Sequence, residues 1–151
     1  MIGDRASTPW HLWVIGIASL LWHAVGANDY VMTQTRNMDY LRMSAENANV
    51  PLDVMLDYFT TFPAWADAAW AFGVWGALAG SILLLLRSRF ATFAFYASLA
   101  GLFVSTIHQI VGDVPPELSS PFFWAFTGFI IVVTVALAVY CRRMTARGVL
   151  R

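Results

Sequence analysis

The sequence predicts an all-α polytopic membrane protein: a four-transmembrane-helix bundle with a short amphipathic helix in its first extracytoplasmic connection. Three observations lead there. Over 151 residues the chain is 59% hydrophobic and only 12% charged, with a mean hydropathy of +0.63, too apolar for a water-soluble domain of ordinary composition. Four runs, residues 9–27, 63–86, 90–112 and 121–141, match the roughly 20 mostly apolar residues that a helix needs to cross a bilayer. Three of these runs open on a proline (Pro9, Pro63 and Pro121), where the missing N–H costs no helical hydrogen bond. Together with the connection over 28–62, the runs form one membrane domain over 1–151.

In the first run, Thr8 before Pro9 reads as a capping residue followed by a first-turn proline. A secretory signal peptide is the rival reading, because the apolar core ends in Val25, Gly26 and Ala27, a passable cleavage site. Asp4 and Pro9, with little positive charge ahead of the core, argue against it. The stretch over 29–43 lacks Gly and Pro and is expected to carry the first helix beyond the membrane, with 44–49 as a turn. Pro51 then opens a short helix in which Leu52, Met55, Leu56 and Phe59 share one face and Asp53 and Asp57 another, the pattern of an interfacial helix. Covering the bundle end is its expected role, ahead of acting as a lid or docking surface.

Helices in lipid associate through close backbone approach, so small residues mark their contact faces. Ala69, Gly73, Gly76, Ala77 and Gly80 line one face of the second span, with Gly76 and Gly80 in GxxxG spacing. In the third span Ala94, Ser98, Gly101 and Ser105 form a stripe that continues to His108 and Gly112; in the first, Gly16, Ser19, His23, Gly26 and Tyr30 do the same. Gly73, Gly76, Gly80 and Gly101 are therefore the expected packing positions. Trp10, Trp13, Trp65, Trp70, Phe122, Phe123 and Trp124 fall near span ends and read as interfacial belts, with Trp75 as the mid-membrane exception.

All nine basic residues are Arg and they balance nine acidic ones, which excludes a nucleic-acid partner. Arg5, Arg87, Arg89, Arg142, Arg143, Arg147 and Arg151 fall on one side of the threading and Arg36 and Arg42 on the other, so both termini are expected in the cytoplasm. A single cysteine, Cys141, excludes an intramolecular disulfide and multi-cysteine metal sites. Beside Arg142 and Arg143 it reads as a helix-end residue, with lipidation as the sharper alternative.

His23 and His108 each stand four residues before the expected outer end of a span, about 6 Å inward at helical rise. Asn28, Asp29, Asp67, Gln109 and Asp113 lie at or near that level, so His23, Asp29, Asp67, His108, Gln109 and Asp113 form the candidate polar cluster. Three readings compete. The favoured one is a hydrogen-bonded cap between helices, in which His23→Asn is neutral and His23→Leu destabilising. A shallow solute or ion site comes next, since intramembrane ionisable groups often mark pathways. Bis-histidine haem is the third. Asp67, about one turn inside Pro63 and turned away from the Gly73, Gly76, Gly80 face, reads as an acid favoured by the helix N-terminus. The known catalytic and phosphate-cradling signatures are absent, so the expectation is a non-enzyme with no cofactor and no metal.

The strings Gly26, Ala27, Asn28, Asp29, Tyr30, Val31, Met32, Thr33, then Phe62, Pro63, Ala64, Trp65, then Ala69, Trp70, Ala71, Phe72, Gly73, Val74, Trp75, Gly76, and Gly80, Ser81 resemble a group of small uncharacterised four-helix bacterial inner-membrane proteins, some loosely labelled sugar transporters. The resemblance covers about the first two thirds of the chain and implies the bacterial inner (plasma) membrane. In that group asparagine is usual where His23 stands and tyrosine where His108 stands, which speaks against a family-wide haem. The expected role is an accessory or interaction subunit, packing through small-residue helix faces against itself as a homo-oligomer or against a larger membrane complex in the lipid bilayer. An oligomeric transporter of small, sugar-like solutes is the runner-up.

Overall fold

A computed structural model of the protein describes residues 7–112 and 114–151. Arg5 of the charge count and Asp113 of the polar cluster lie outside the described residues. Six α-helices follow in order: α1 (Trp10–Gln34), α2 (Met38–Ala48), α3 (Leu52–Thr60), α4 (Ala64–Leu85), α5 (Phe90–Val111) and α6 (Pro121–Ala146). No strand occurs among the described residues. The protein is a four-helix membrane bundle: α1, α4, α5 and α6 are long and apolar enough to cross a membrane. Their outward faces carry large apolar side chains, among them Ile17, Leu21, Phe72, Phe93, Phe103 and Val132, which water would reject and lipid accepts.

The helix starts follow the proline signals, with one correction. Pro121 occupies the first turn of α6 behind Ser120, whose Oγ accepts from the Phe123 N–H. Pro9 and Pro63 are themselves the N-cap residues of α1 and α4, and neither cap has a side-chain hydrogen bond, so Thr8 does not cap α1.

The first connection differs most from expectation. α1 continues seven residues past Ala27 and stops at Gln34, where Arg36 turns left-handed at φ 52° and Asn37 caps a new helix by accepting from the Tyr40 N–H. The 29–43 stretch is thus two helices rather than one extension. Residues 44–48, expected as a turn, complete α2, and the turn falls at Asn49, in the left-handed region at φ 55°. Asparagine tolerates that conformation because its short amide can bond locally. The predicted short amphipathic helix is α3, paired with α2 through Leu41, Ala45, Val50 and Met55, with Leu118 of the α5–α6 connection packed on the same cluster.

α4 presses most closely on α5, α1 packs on α4, and α6 packs on α5. The ring closes through side chains: His11 Nδ1 meets the Tyr140 hydroxyl at 2.6 Å, and Trp22 sits edge-on to Phe126 and Phe129. Small residues decide the closest seam. An added Cβ on Gly101 would lie 2.5 Å from both the Ala69 carbonyl oxygen and the Gly73 nitrogen, so these two backbones touch. Ser98 Oγ donates to the Gly73 carbonyl at 2.6 Å at the same place. In α1 the inward stripe is Leu12, Gly16, Ser19, His23 and Ala27; Gly26, placed on it by the sequence reading, faces outward with open space.

At one end, Leu12, Leu84, Ala91, Phe95, Leu137, Cys141, Val149 and Leu150 share a core. Cys141 is wholly buried in it, which removes the thiol from any lipidating enzyme. This end also carries Arg87, Arg89, Arg142, Arg143, Arg147 and Arg151. The opposite end carries α2, α3 and the described acidic side chains: Asp29, Asp39, Glu46, Asp53, Asp57, Asp67 and Glu117.

Candidate functional site

The candidate polar residues separate into distinct settings instead of one cluster. His23, on the inward stripe of α1, is 7% exposed and meets Ser81 of α4: Nδ1 lies 2.9 Å from Ser81 Oγ. Ser19 Oγ is 2.6 Å from Ser81 Oγ and 3.3 Å from His23 Nδ1, while Ser81 Oγ donates to the Ala77 carbonyl at 2.9 Å. Counting protons assigns the tautomer. With the proton on Nδ1, both the imidazole N–H and the Ser19 hydroxyl donate to Ser81 Oγ, whose own proton goes to Ala77, and every donor is paired. The other tautomer strands an N–H inside the bundle, which costs more than an unused lone pair. Ser81 is therefore the hub, and His23 Nε2, buried and without a partner, holds a free lone pair beside Phe95.

His108 stands elsewhere, close to the C-terminal end of α5, with ring centroids 5.1 Å from both Phe62 and Trp65. Trp65 opens α4 and Ser81 lies near its far end, so the two histidines differ in depth by roughly 24 Å at helical rise. The equal depth expected from sequence fails because α1 runs on to Gln34, which moves His23 well down the bundle. A single haem iron needs both imidazoles on it, and this structure does not bring them together. Among the described residues no three His, Cys, Asp or Glu side chains gather as a metal would require.

The acids serve the connection. Asp29 accepts from the Tyr40 hydroxyl at 2.8 Å, tying α1 to α2, and Asp67 accepts from the Gln34 amide, tying α4 to α1. Burial first, then the hydrogen bond to and charge of Asp29, push the Tyr40 phenol above its ordinary value. Since the neutral phenol is the form favoured by folding, its contribution is complete below about pH 10 and is lost as pH rises through the raised value. Proteolytic nicking of the connection should accelerate above that pH in the wild type. Tyr40→Phe should be nicked faster at neutral pH and lose most of the alkaline step; an unchanged step in this variant would exclude the phenol as its source.

Ser105, His108 and Gln109 share one arc of α5 by helical periodicity, and Gly112 is its extended C-cap. Ser105 Oγ and Gln109 Oε1 are buried without partners, as is the Tyr58 hydroxyl of α3, whose phenol burial pushes upward. Here Tyr58, Thr61, Phe62, His108, Gly112 and Val114 line a cavity of about 180 Å³, room for about six waters. A larger hollow of about 550 Å³ lies at the α2–α3 elbow, lined by Arg42, Ala45, Glu46, Asn49, Val50, Pro51 and Leu52.

Several contributors escaped the sequence reading. Ser81 has no motif, and His11 and Tyr140 lie 129 positions apart. Trp70, placed in a belt, instead stacks on Phe59 and meets Tyr30 and Phe62 edge-on, joining α3, α1 and α4. Pairing each polar or aromatic group on an inward stripe with one at matching depth could have found these. No family model, curated protein or solved structure matches the chain, so its function is argued from the residues alone.

Proposed function

We propose that the protein is a non-catalytic accessory or interaction subunit of the bacterial inner membrane, with both termini in the cytoplasm. The supporting observation is the distribution of glycines. Gly73, Gly80 and Gly101 are buried in the α4–α5 seam, and Gly76 presses its backbone on Ser98. This corrects the expected contact surface, because these faces are filled within one chain. Gly26 of α1 and Gly128 of α6 have nothing within 4 Å of an added Cβ. Close approach at small residues substitutes for hydrophobic drive in lipid, so these two positions are where another helix can come nearest. Purification in mild detergent should bring down a larger membrane protein in fixed ratio, and Gly26→Leu with Gly128→Leu should release it without lowering the bundle's own thermal midpoint. A partner retained by the double variant overturns this surface.

Orientation rests on the arginines: six described ones, Arg151 among them, share one end, against Arg36 and Arg42 at the other. A reporter that fluoresces only in the cytoplasm should give signal when fused after Arg151 and none when inserted after Asn49. The reverse pattern inverts the assignment.

The second reading, an oligomeric small-solute transporter, draws on the cavity beside His108 and the unpartnered polar atoms of the same α5 arc. Recovery of a homogeneous homo-oligomer with no larger partner favours it over the accessory role.

A further inference from the structure

Behind α6 the chain reverses at Gly148, φ 68°, and tucks Val149 and Leu150 under the bundle at 4% and 2% exposure. The last residue then pairs with the α4–α5 connection through two main-chain hydrogen bonds: Arg89 N–H donates to the Arg151 oxygen at 2.9 Å and Arg151 N–H to the Arg87 oxygen at 2.8 Å. This clasp gathers Arg87, Arg89 and Arg151 from the two ends of a long stretch of chain. Arg87 is held at φ 57°, a left-handed conformation that a glycine would adopt more easily. Its guanidinium donates one long hydrogen bond, 3.5 Å, to the Val149 carbonyl, and its Nε is buried with no partner. Arg89 lies over the Phe90 ring, 5.4 Å from its centroid. Exposed Leu86 and Phe90 flank the clasp and place it where acyl chains give way to headgroups. No Asp or Glu side chain among the described residues stands at this end, and the anion in the clasp is the Arg151 carboxylate, which accepts from the Arg89 N–H.

We propose that the clasp is a binding site for a phosphate group, presented by an anionic phospholipid or by a soluble phosphate ester. Guanidinium forks match phosphate oxygens in pairs, and the Arg87 Nε–H, buried without an acceptor, is a donor that such an oxygen satisfies. Three guanidiniums outweigh the single Arg151 carboxylate of the clasp, and that net positive charge selects an anionic lipid over a zwitterionic one, whose phosphate already carries its own counter-charge.

The full chain in nanodiscs of equal phosphatidylglycerol and phosphatidylcholine should retain phosphatidylglycerol preferentially when its bound lipids are counted by native mass spectrometry. Each guanidinium removed should lower that preference about five-fold, so that R87Q/R89Q/R151Q falls to parity. R142Q/R143Q/R147Q, which removes equal charge at the same end outside the clasp, should keep the preference. Arg89→Gln alone, at an exposed side chain lying over Phe90, gives a loss of about five-fold should the triple variant fail to fold. Competition with glycerol 1-phosphate identifies the source: displacement of phosphatidylglycerol and binding in pure phosphatidylcholine discs indicate the soluble ester, and no effect indicates the lipid. Equal losses in the two triple variants, or no preference in the wild type together with no binding of glycerol 1-phosphate, overturns the site.

Discussion

Gly101→Ala is expected to destabilise the bundle by about 3 kcal/mol or more, the upper range for overpacking, whereas Gly73→Ala in the same seam should cost under about 1 kcal/mol. A Cβ on Gly101 meets the Ala69 carbonyl oxygen and the Gly73 nitrogen at 2.5 Å. Both are main-chain atoms of α4, so relief requires moving a whole helix. On Gly73 the nearest atom is the Leu102 nitrogen at 3.5 Å, ordinary contact. Gly16 is the instructive intermediate, since its 2.5 Å neighbour is the end of the Leu85 side chain, which can swing aside. Thermal unfolding in detergent should rank Gly101 well above Gly16 and Gly73. Equal losses at Gly101 and Gly73 would mean that α5 is rotated from the position described.

Ser81→Ala should cost about 2 to 3 kcal/mol, more than His23→Leu, which should cost under about 1 kcal/mol. The sequence alone implies that His23→Leu destabilises; the network makes Ser81→Ala the costlier change. Ser81 Oγ is the acceptor for two buried donors, the His23 Nδ1–H and the Ser19 hydroxyl; its loss strands them, at about 1 to 3 kcal/mol for each group left unpaired. Partial re-pairing of Ser19 with His23, 3.3 Å apart, keeps the total below the sum. Removing His23 leaves the Ser19 to Ser81 to Ala77 chain complete and takes away the unpartnered Nε2. Denaturation midpoints for the two variants and their double variant measure the coupling. His23→Leu losing more than Ser81→Ala would show that His23, not Ser81, is the centre of the network.

The spans were legible because each crossing must satisfy its backbone within one helix and present apolar side chains to lipid, and both demands are written in consecutive residues. Pro9, Pro63 and Pro121 bound the starts, and the Gly73, Gly80 and Gly101 stripes named the close seam before any contact was known. That seam also decided which partner each face has. Sequence spacing places a small residue on a face but not the face opposite it, so a stripe that could have met another protein proved to be filled by α5.

Depth was where sequence reading failed. Hydropathy falls at Asn28 and Asp29, yet nothing in the next residues stops a helix until Arg36 turns, so α1 outlasted its apolar run and ends level with Asp67 in the first turn of α4. His23 consequently met Ser81 rather than the level of His108, and the six candidate residues came apart. What the sequence by itself determined is therefore what acts locally: helix, span, breaker and the asymmetry of arginine. Which polar group meets which, how Arg87, Arg89 and Arg151 join in one clasp, and which glycines stay uncovered were decided only by packing, because each is a pairing between distant segments set by helix length and rotation together.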